Sequence, residues 1–387
     1  MKISFPSKKL APKKLNLSLV TISFLSSCTM ANAYEGYIYV NSSETSTKTI
    51  GHDRGSNKDG LIFITKDGRI QPSGSKHQAI FLNEKDSNTF LFLNNGTLQG
   101  TSDKASVEIG VNNQNGADIG FFFNAGKIGN NVSKFGVVVW GNNNENNKDR
   151  STIYDFTNIG TIEGKNGEAI YLGNTYITTF TNWNSIKSNK KGVNVNLGAN
   201  IKYFTNIGTI EGEAIALRND TNGNNSATIE NLINFGTIKS NSSNKQIHGI
   251  NLEKGTKIDN FYNAKSGIIT GGNNSKFGIL SYDSTINTFK NSGTIESQRS
   301  NDRNADIIAI SLNKSQGSIQ TLINSGTLKS ANHGILAESG NKIGTLINKG
   351  TIEAKLDGIS FYDLSPLNKD ASIGQIILEE GSSIDAG

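Results

Sequence analysis

The sequence predicts an all-β fold: a single right-handed parallel β-helix, or β-solenoid, of about twelve rungs of three short strands. Three observations carry that expectation. The first is a recurring unit, seen most cleanly as Phe156-Thr157-Asn158-Ile159-Gly160-Thr161-Ile162 and again at Phe204-Thr205-Asn206-Ile207-Gly208-Thr209-Ile210. The second is its spacing. The motif glycine, or its substitute, falls at Gly68, Gly96, Gly126, Gly160, Asn184, Gly208, Gly236, Gly267, Gly293, Gly326, Gly350 and Gly381, with a shortest interval of 24 residues. A hard minimum with variable excess describes a fixed coil that carries loops. The third is composition: 42 Gly and 35% hydrophobic residues in a chain of 387 are poor for a compact α/β enzyme and suit an elongated solenoid.

Taken in order, residues 1–33 have the layout of an export signal. Lys2, Lys8, Lys9, Lys13 and Lys14 are followed by an apolar run from Leu15 to Leu25 and then by small residues. The run is too short and too rich in Ser and Thr for a spanning helix. Two processing sites compete. Ala31-Asn32-Ala33 is an A-x-A peptidase site with cleavage after Ala33, whereas Leu25-Ser26-Ser27-Cys28 has the form of a bacterial lipobox, whose Cys28 is lipidated and becomes the first residue. Cys28 is the only cysteine in the chain, which favours the lipoprotein reading. Each buried methylene of an acyl chain contributes about 0.8 kcal/mol, so several chains would hold the N-terminus to a membrane. With no second thiol, no disulfide braces the exported part. The leader also explains the formal charge of +5. Five of the 38 basic residues lie in it and none of the 33 acidic ones, so the remainder balances at 33 against 33 and offers no electrostatic footprint for nucleic acid.

Residues 34–60 lack the motif, apart from a possible strand at Tyr37-Ile38-Tyr39-Val40, and are expected to cap the first open rung. Residues 61–387 form the β-helix. Two residues before each motif Asn stands Phe92, Phe122, Phe156, Phe180, Phe204, Leu232, Phe261, Phe289, Leu322 or Leu346; two after each Gly stands Leu98, Ile128, Ile162, Ile186, Ile210, Ile238, Ile269, Ile295, Leu328 or Ile352. These are two stacked apolar columns. A third short strand follows, as in Glu213-Ala214-Ile215-Ala216-Leu217 and His248-Gly249-Ile250-Asn251-Leu252, with the period-two alternation of a strand that has one face inward. Asn and Gly of the motif are expected to make the corner, because both tolerate the left-handed backbone region. Asn158, Asn182, Asn206, Asn234, Asn291, Asn324 and Asn348, with Asn94, Asn124 and Asn263, fall at one site in successive rungs and are expected to form a structural side-chain ladder. Polar, Asn-rich insertions such as 240–245, 297–304 and 141–150 read as solvated loops, where recognition on solenoids is usually found.

The residues give little sign of catalysis. His248 and His333 occupy equivalent places before the third strand, and His52 and His77 lie near the cap, with no accompanying column of Cys or carboxylates for a metal. Gly271-Gly272-Asn273-Asn274 fails the calcium-binding nonapeptide. Glu163, Glu211, Glu296 and Glu353 follow the core Ile and recur, which describes a solvated face; a glycosidase needs one special pair. Asp283, Asp302 and Asp306 with Arg299 and Arg303 leave a saccharide-cleaving groove as an alternative.

An export leader with a lipobox, followed by Phe-x-Asn-x-Gly-Thr-Ile repeats with Gly-Ile-x-Leu strands between them, resembles the passenger of bacterial autotransporters. The nearest resemblance is to autotransporter lipoproteins of Campylobacter that are regarded as adhesins. It covers the leader and residues from about 61 onward. It implies display at the outer membrane and attachment to a host-cell or matrix component, protein or glycan. No enzymatic activity, cofactor or nucleic-acid partner is expected. Autotransporters end in a membrane β-barrel of amphipathic strands. The chain here stops at Ile384-Asp385-Ala386-Gly387 within another rung, so the expectation is a truncated or split gene product. The rivals are a carbohydrate-active β-helix enzyme and a structural stalk that binds nothing.

Overall fold

Alternation of inward and outward residues sets the strands, and the motif sets where each strand breaks. The computed structural model describes residues 37–387 apart from 41–44, 47–49, 53–58, 75, 83–87, 112–115, 130–132, 143–149, 220–224, 241–247, 272–276, 298–307, 314–316, 339 and 363–370. Cys28 and Ala33 lie outside the described residues, as do Asp302, Asp306, Arg299, Arg303 and most of the three polar insertions. The chain winds as a parallel β-solenoid. One sheet holds thirteen strands, from Tyr37–Val40 through Asp59–Ile64, Asn88–Asn94 and Asp118–Asn124 to Ser372–Leu378, each paired with the corresponding strand of the next coil. A second set of 23 strands contains the other two strands of the coils. At the strand spacing of about 4.8 Å the thirteen-stranded sheet is roughly 60 Å long.

The thirteenth strand, one more than the twelve motif copies, comes from the stretch expected to act as a cap. Tyr37–Val40 pairs in parallel with Asp59–Ile64, Thr45–Ser46 with Arg69–Ile70, and Ile50–His52 with Ile80–Leu82. Residues ahead of the first motif copy therefore add a coil in register. Three strands per coil is also an average. In two neighbouring coils the second and third run together, as Ser185–Asn196 and Thr209–Leu217, with only an irregularity of register between Lys187 and Lys191 left at the corner.

The interior is built from columns. Phe156 pairs with Phe180 and Phe180 with Phe204, so rings of neighbouring coils stack. Their centroids are 4.7 and 4.5 Å apart with planes 3° and 13° from parallel. Phe92, Phe122 and Phe156 continue the stack toward the N-terminus at 4.4 and 4.5 Å, and Phe261 with Phe289 resumes it after Leu232. The second column, including Ile162, Ile186 and Ile210, is fully buried. Among the described residues, inward positions open to solvent over the last two coils, at Phe361, Ile376, Leu378 and Ile384.

Beside the phenylalanines runs the asparagine ladder. Each side-chain amide donates Nδ2–H to Oδ1 of the asparagine in the next coil: Asn94 to Asn124 at 2.7 Å, Asn158 to Asn182 at 2.8 Å, Asn182 to Asn206 at 2.9 Å, Asn206 to Asn234 at 2.8 Å, and so on through Asn263, Asn291 and Asn324 to Asn348. All the donors point the same way along the axis. The same Nδ2 also donates to a carbonyl of its own turn and to one in the next coil, as Asn206 does to Gly208 and Thr237. At the ends of the ladder the column is filled by Ile64 and Leu378 instead.

The motif glycine serves a different purpose from the one expected. None of Gly96, Gly126, Gly160, Gly208, Gly236, Gly267, Gly293, Gly326 and Gly350 has a positive φ, nor has any ladder asparagine. What glycine supplies is close approach between coils. A Cβ at Gly208 would lie 2.0 Å from the carbonyl oxygen of Asn184, and at Gly236 2.0 Å from that of Gly208. Asn184 is the one described coil in the interior that carries a side chain there. The Ser185 N–H reaches the Gly160 oxygen at 3.2 Å, against 2.7 Å from Thr209 to Asn184, so the backbone stands off where a Cβ is present.

Candidate functional site

The asparagines Asn158, Asn182, Asn206, Asn234, Asn291, Asn324 and Asn348 are wholly buried and bonded to one another. They build the scaffold and present nothing to a ligand. Function therefore has to be sought on the outward columns, of which three are distinctive.

On the second strands the recurring glutamates are interleaved with lysines. The column reads Glu163, Lys187, Glu211, Lys239, Thr270, Glu296, Lys329, Glu353 and Asp385 in successive coils. Lys187 Nζ lies 2.7 Å from Glu163, Lys239 2.9 Å from Glu211, and Lys329 2.7 Å from Glu353. Opposite charges directly across adjacent strands stabilise the pairing, and like charges oppose it. Lys187→Glu would set three carboxylates in a row. Lys187 is half exposed, but Glu163 is buried and Glu211 only partly exposed, so the expected loss is about 1 kcal/mol or more, and the part that high salt screens is incomplete. Urea unfolding at low and high ionic strength measures both.

On the third strands the outward positions form a denser array. Glu168, Lys191 and Glu213 follow one another in one column, Tyr171, Asn194, Ala216 and Asn251 in the next, and Gly173, Asn196, Arg218 and Glu253 in a third. Lys191 Nζ lies between Glu168 at 3.5 Å and Glu213 at 4.0 Å, and Arg218 joins Glu213 at 3.9 Å to Glu253 at 2.8 Å. Asn194 donates to Glu168 and Asn251 to Glu213. Three carboxylates are thus tied to two cations and two amides. The missing side chain at Gly173 lets the Trp140 and Tyr171 rings close over its backbone, with centroids 4.5 Å apart. Burial pushes the Glu253 carboxyl up, against the pull of Arg218. Burial also drives the Tyr171 phenol to about 12, with Glu168 adding to the rise. The phenol of the unfolded chain ionises near pH 10, so the fold binds this proton more tightly. Stability conferred by Tyr171 is complete below about pH 10 and falls as pH climbs toward 12. Tyr171→Phe is expected to make alkaline unfolding less steep in that window and to remove phenolate absorbance that rises at about pH 12.

No group of three or more His, Cys, Asp or Glu side chains is placed to hold a metal ion among the described residues. His248 packs on Phe277 with centroids 4.9 Å apart, and His333 Nδ1 lies 2.9 Å from Asp357.

The third feature is exposed aromatic surface on the outside of the thirteen-stranded sheet and its first corner. Phe90, Phe121, Tyr154, Tyr203, Trp183 and Phe235 all lie there. Phe121 packs edge-on between Phe90 at 5.7 Å and Tyr154 at 6.2 Å. Trp183, 53% exposed, and Phe235, 43% exposed, occupy the middle position of Asn-x-Gly, with Ile159 and Ile207 at the same place in the coils beside them. Polar outward side chains stand among these aromatic and aliphatic ones. Asp155 accepts from Thr157 at 2.7 Å, and Lys202 Nζ lies 5.5 Å from the centre of the Tyr203 ring.

Sequence reasoning missed this band, although one signal was present. The middle residue of the motif is Ala125, Ser292, Ser325 or Lys349 in other coils, so the fold asks nothing of it. A Trp or Phe at such a position needs a reason other than folding. Comparison with models of protein families, with curated proteins and with solved structures finds no match to this chain.

Proposed function

We propose that the chain is an exported, surface-displayed adhesin passenger, held at a membrane by its leader, that attaches to a host-cell or matrix component through the part of the aromatic band formed by Tyr154, Trp183, Tyr203 and Phe235. The observation that carries this reading is the exposure of Tyr154, Trp183, Tyr203 and Phe235 on one side of a scaffold that does not need them there. Soluble proteins seldom leave contiguous large apolar side chains in water, and aromatic side chains ringed by polar ones are the usual centre of a binding surface. A β-solenoid suits the task because its coils set the aromatic side chains on a rigid lattice. The enzymatic alternative has less support, since the carboxylates that cluster on the third strands are committed to Lys191, Arg218 and two amides. Saturable binding of the purified chain to epithelial cells tests the reading. An absence of saturable binding would leave the non-binding stalk.

A further inference from the structure

The outward face of the thirteen-stranded sheet changes character along the axis. One outward column runs Leu61, Leu91, Phe121, Asp155, Thr179, Tyr203, and its neighbour runs Phe63, Leu93, Phe123, Thr157, Thr181, Thr205. Through Phe121 and Phe123 every member is apolar; from Asp155 and Thr157 to Thr205 every member but Tyr203 is polar, and the second column turns apolar again only at Ile233 and Tyr262. The register places Tyr37 and Tyr39 at the head of the same two columns. Over the first coils, then, an outward sheet face is built like an inward one, and Phe121 remains 41% exposed upon it. The patch contains no side chain able to specify a hydrogen-bonding partner. This sets it apart from the mixed surface around Trp183.

Its place in the chain says what covers it. Residues 1–36 lie outside the described part and lead directly into Tyr37, the first residue of the first strand of this same sheet. The apolar run Leu15–Leu25 ends twelve residues before that strand, and Cys28 stands nine before it. Nine residues extend to about 30 Å at most, and the patch begins one coil, about 5 Å, further on. Whatever membrane holds the leader is therefore within reach of the patch, and tethering raises the effective concentration of that surface.

We propose that the apolar face formed by Leu61, Phe63, Leu91, Leu93, Phe121 and Phe123 rests on the lipid bilayer to which the N-terminus is anchored. The polar stretch from Asp155 and Thr157 to Thr205 ends the contact and separates this patch from the apolar positions that return at Ile233 and Tyr262. This inference rests on the anchored-passenger reading in one respect only, that the leader holds the N-terminus at a membrane; it does not need the adhesive partner.

The test uses the full chain, whose own apolar leader supplies the tether, on vesicles of phosphatidylethanolamine and phosphatidylglycerol with brominated acyl chains. Trp140 and Trp183 are first replaced by phenylalanine, and a single reporter is then introduced as Phe121→Trp or, on the polar stretch, as Thr181→Trp. Aromatic side chains at a bilayer interface sit about 5–10 Å into the headgroup boundary, so the Phe121→Trp emission should shift to the blue and be quenched about twofold or more. The Thr181→Trp emission should do neither. Unquenched Phe121→Trp emission overturns the proposal, whether or not the chain sediments with the vesicles. Equal quenching at both reporters overturns it as well, because the contact would then not end at the polar stretch. A blue shift that appears without vesicles and follows protein concentration assigns the face to a second copy of the chain instead. Loss of cell attachment with intact quenching would count against the adhesin reading alone.

Discussion

Gly208→Ala is expected to destabilise the solenoid by about 3 kcal/mol or more, far beyond what a helix-propensity or entropy argument would give. The added carbon would sit 2.0 Å from the Asn184 oxygen and 2.6 Å from its nitrogen. Both are backbone atoms, held in place by the Thr209 N–H to Asn184 bond at 2.7 Å, so no flexible side chain can yield. The coil must separate from its predecessor, which would strain the Phe180–Phe204 stack and the Asn182–Asn206 bond together. Gly381→Ala is the control. That residue has φ +80° and nothing within 4 Å of the added carbon, so the cost is the backbone strain alone, about 1 kcal/mol. Urea midpoints of the two variants should differ accordingly; equal midpoints would mean that coil spacing does not depend on the bare glycine.

Asn206→Ala is expected to cost about 2–4 kcal/mol. The lost side chain accepts from Asn182 at 2.9 Å and donates to Asn234 at 2.8 Å, to Gly208 at 3.2 Å and to Thr237 at 3.3 Å. Asn182 keeps its two carbonyl acceptors, whereas Asn234 Oδ1 is stranded inside the protein without this donor. A buried polar atom without a partner costs the full loss of its hydration, which is why the middle of the ladder is the sensitive place. Asn348→Ala should cost less, since that amide closes the ladder and hands no bond onward to an asparagine; the next coil has Leu378 in its place. Similar losses at the two positions would remove cooperative bonding from the explanation.

Much of this interior was legible in the chain because a solenoid repeats its constraints. The phenylalanine and isoleucine columns followed from offsets of two residues about Asn-x-Gly, and the amide ladder from the recurrence of one residue type. Other properties belong to relations between coils that spacing alone does not reveal. Glycine at Gly208 reads as a turn residue until the neighbouring carbonyl is placed against it. The lysines that alternate with Glu163, Glu211 and Glu353 directly follow the core Ile or Leu, as the glutamates do, so their column was legible too; only the ion pairs within it depend on distances between coils. The stretch at Tyr37–Val40 carries no motif, yet its register with Leu61–Ile64 makes it part of the ladder. The aromatic band required knowing which of two adjacent residues points outward. Tyr154 and Phe156 differ by two positions in sequence, but one is 61% exposed and the other wholly buried, because two outward residues precede Phe156 where strict alternation allows one.

In the proposed function the repeat builds an inert scaffold and the exposed aromatic side chains do the binding. The most direct measurement compares attachment to epithelial cells by the parent chain, by a Trp183→Ser/Phe235→Ser variant, and by a Lys239→Ser/Lys329→Ser variant altered on the second-strand column. All three should show the same unfolding free energy in urea within about 1 kcal/mol, since every altered side chain is outward. The account predicts that the aromatic variant loses saturable binding at least about tenfold, as loss of two hot-spot residues would, while the lysine variant binds like the parent. Full binding by the aromatic variant, with loss in the lysine variant, would contradict it.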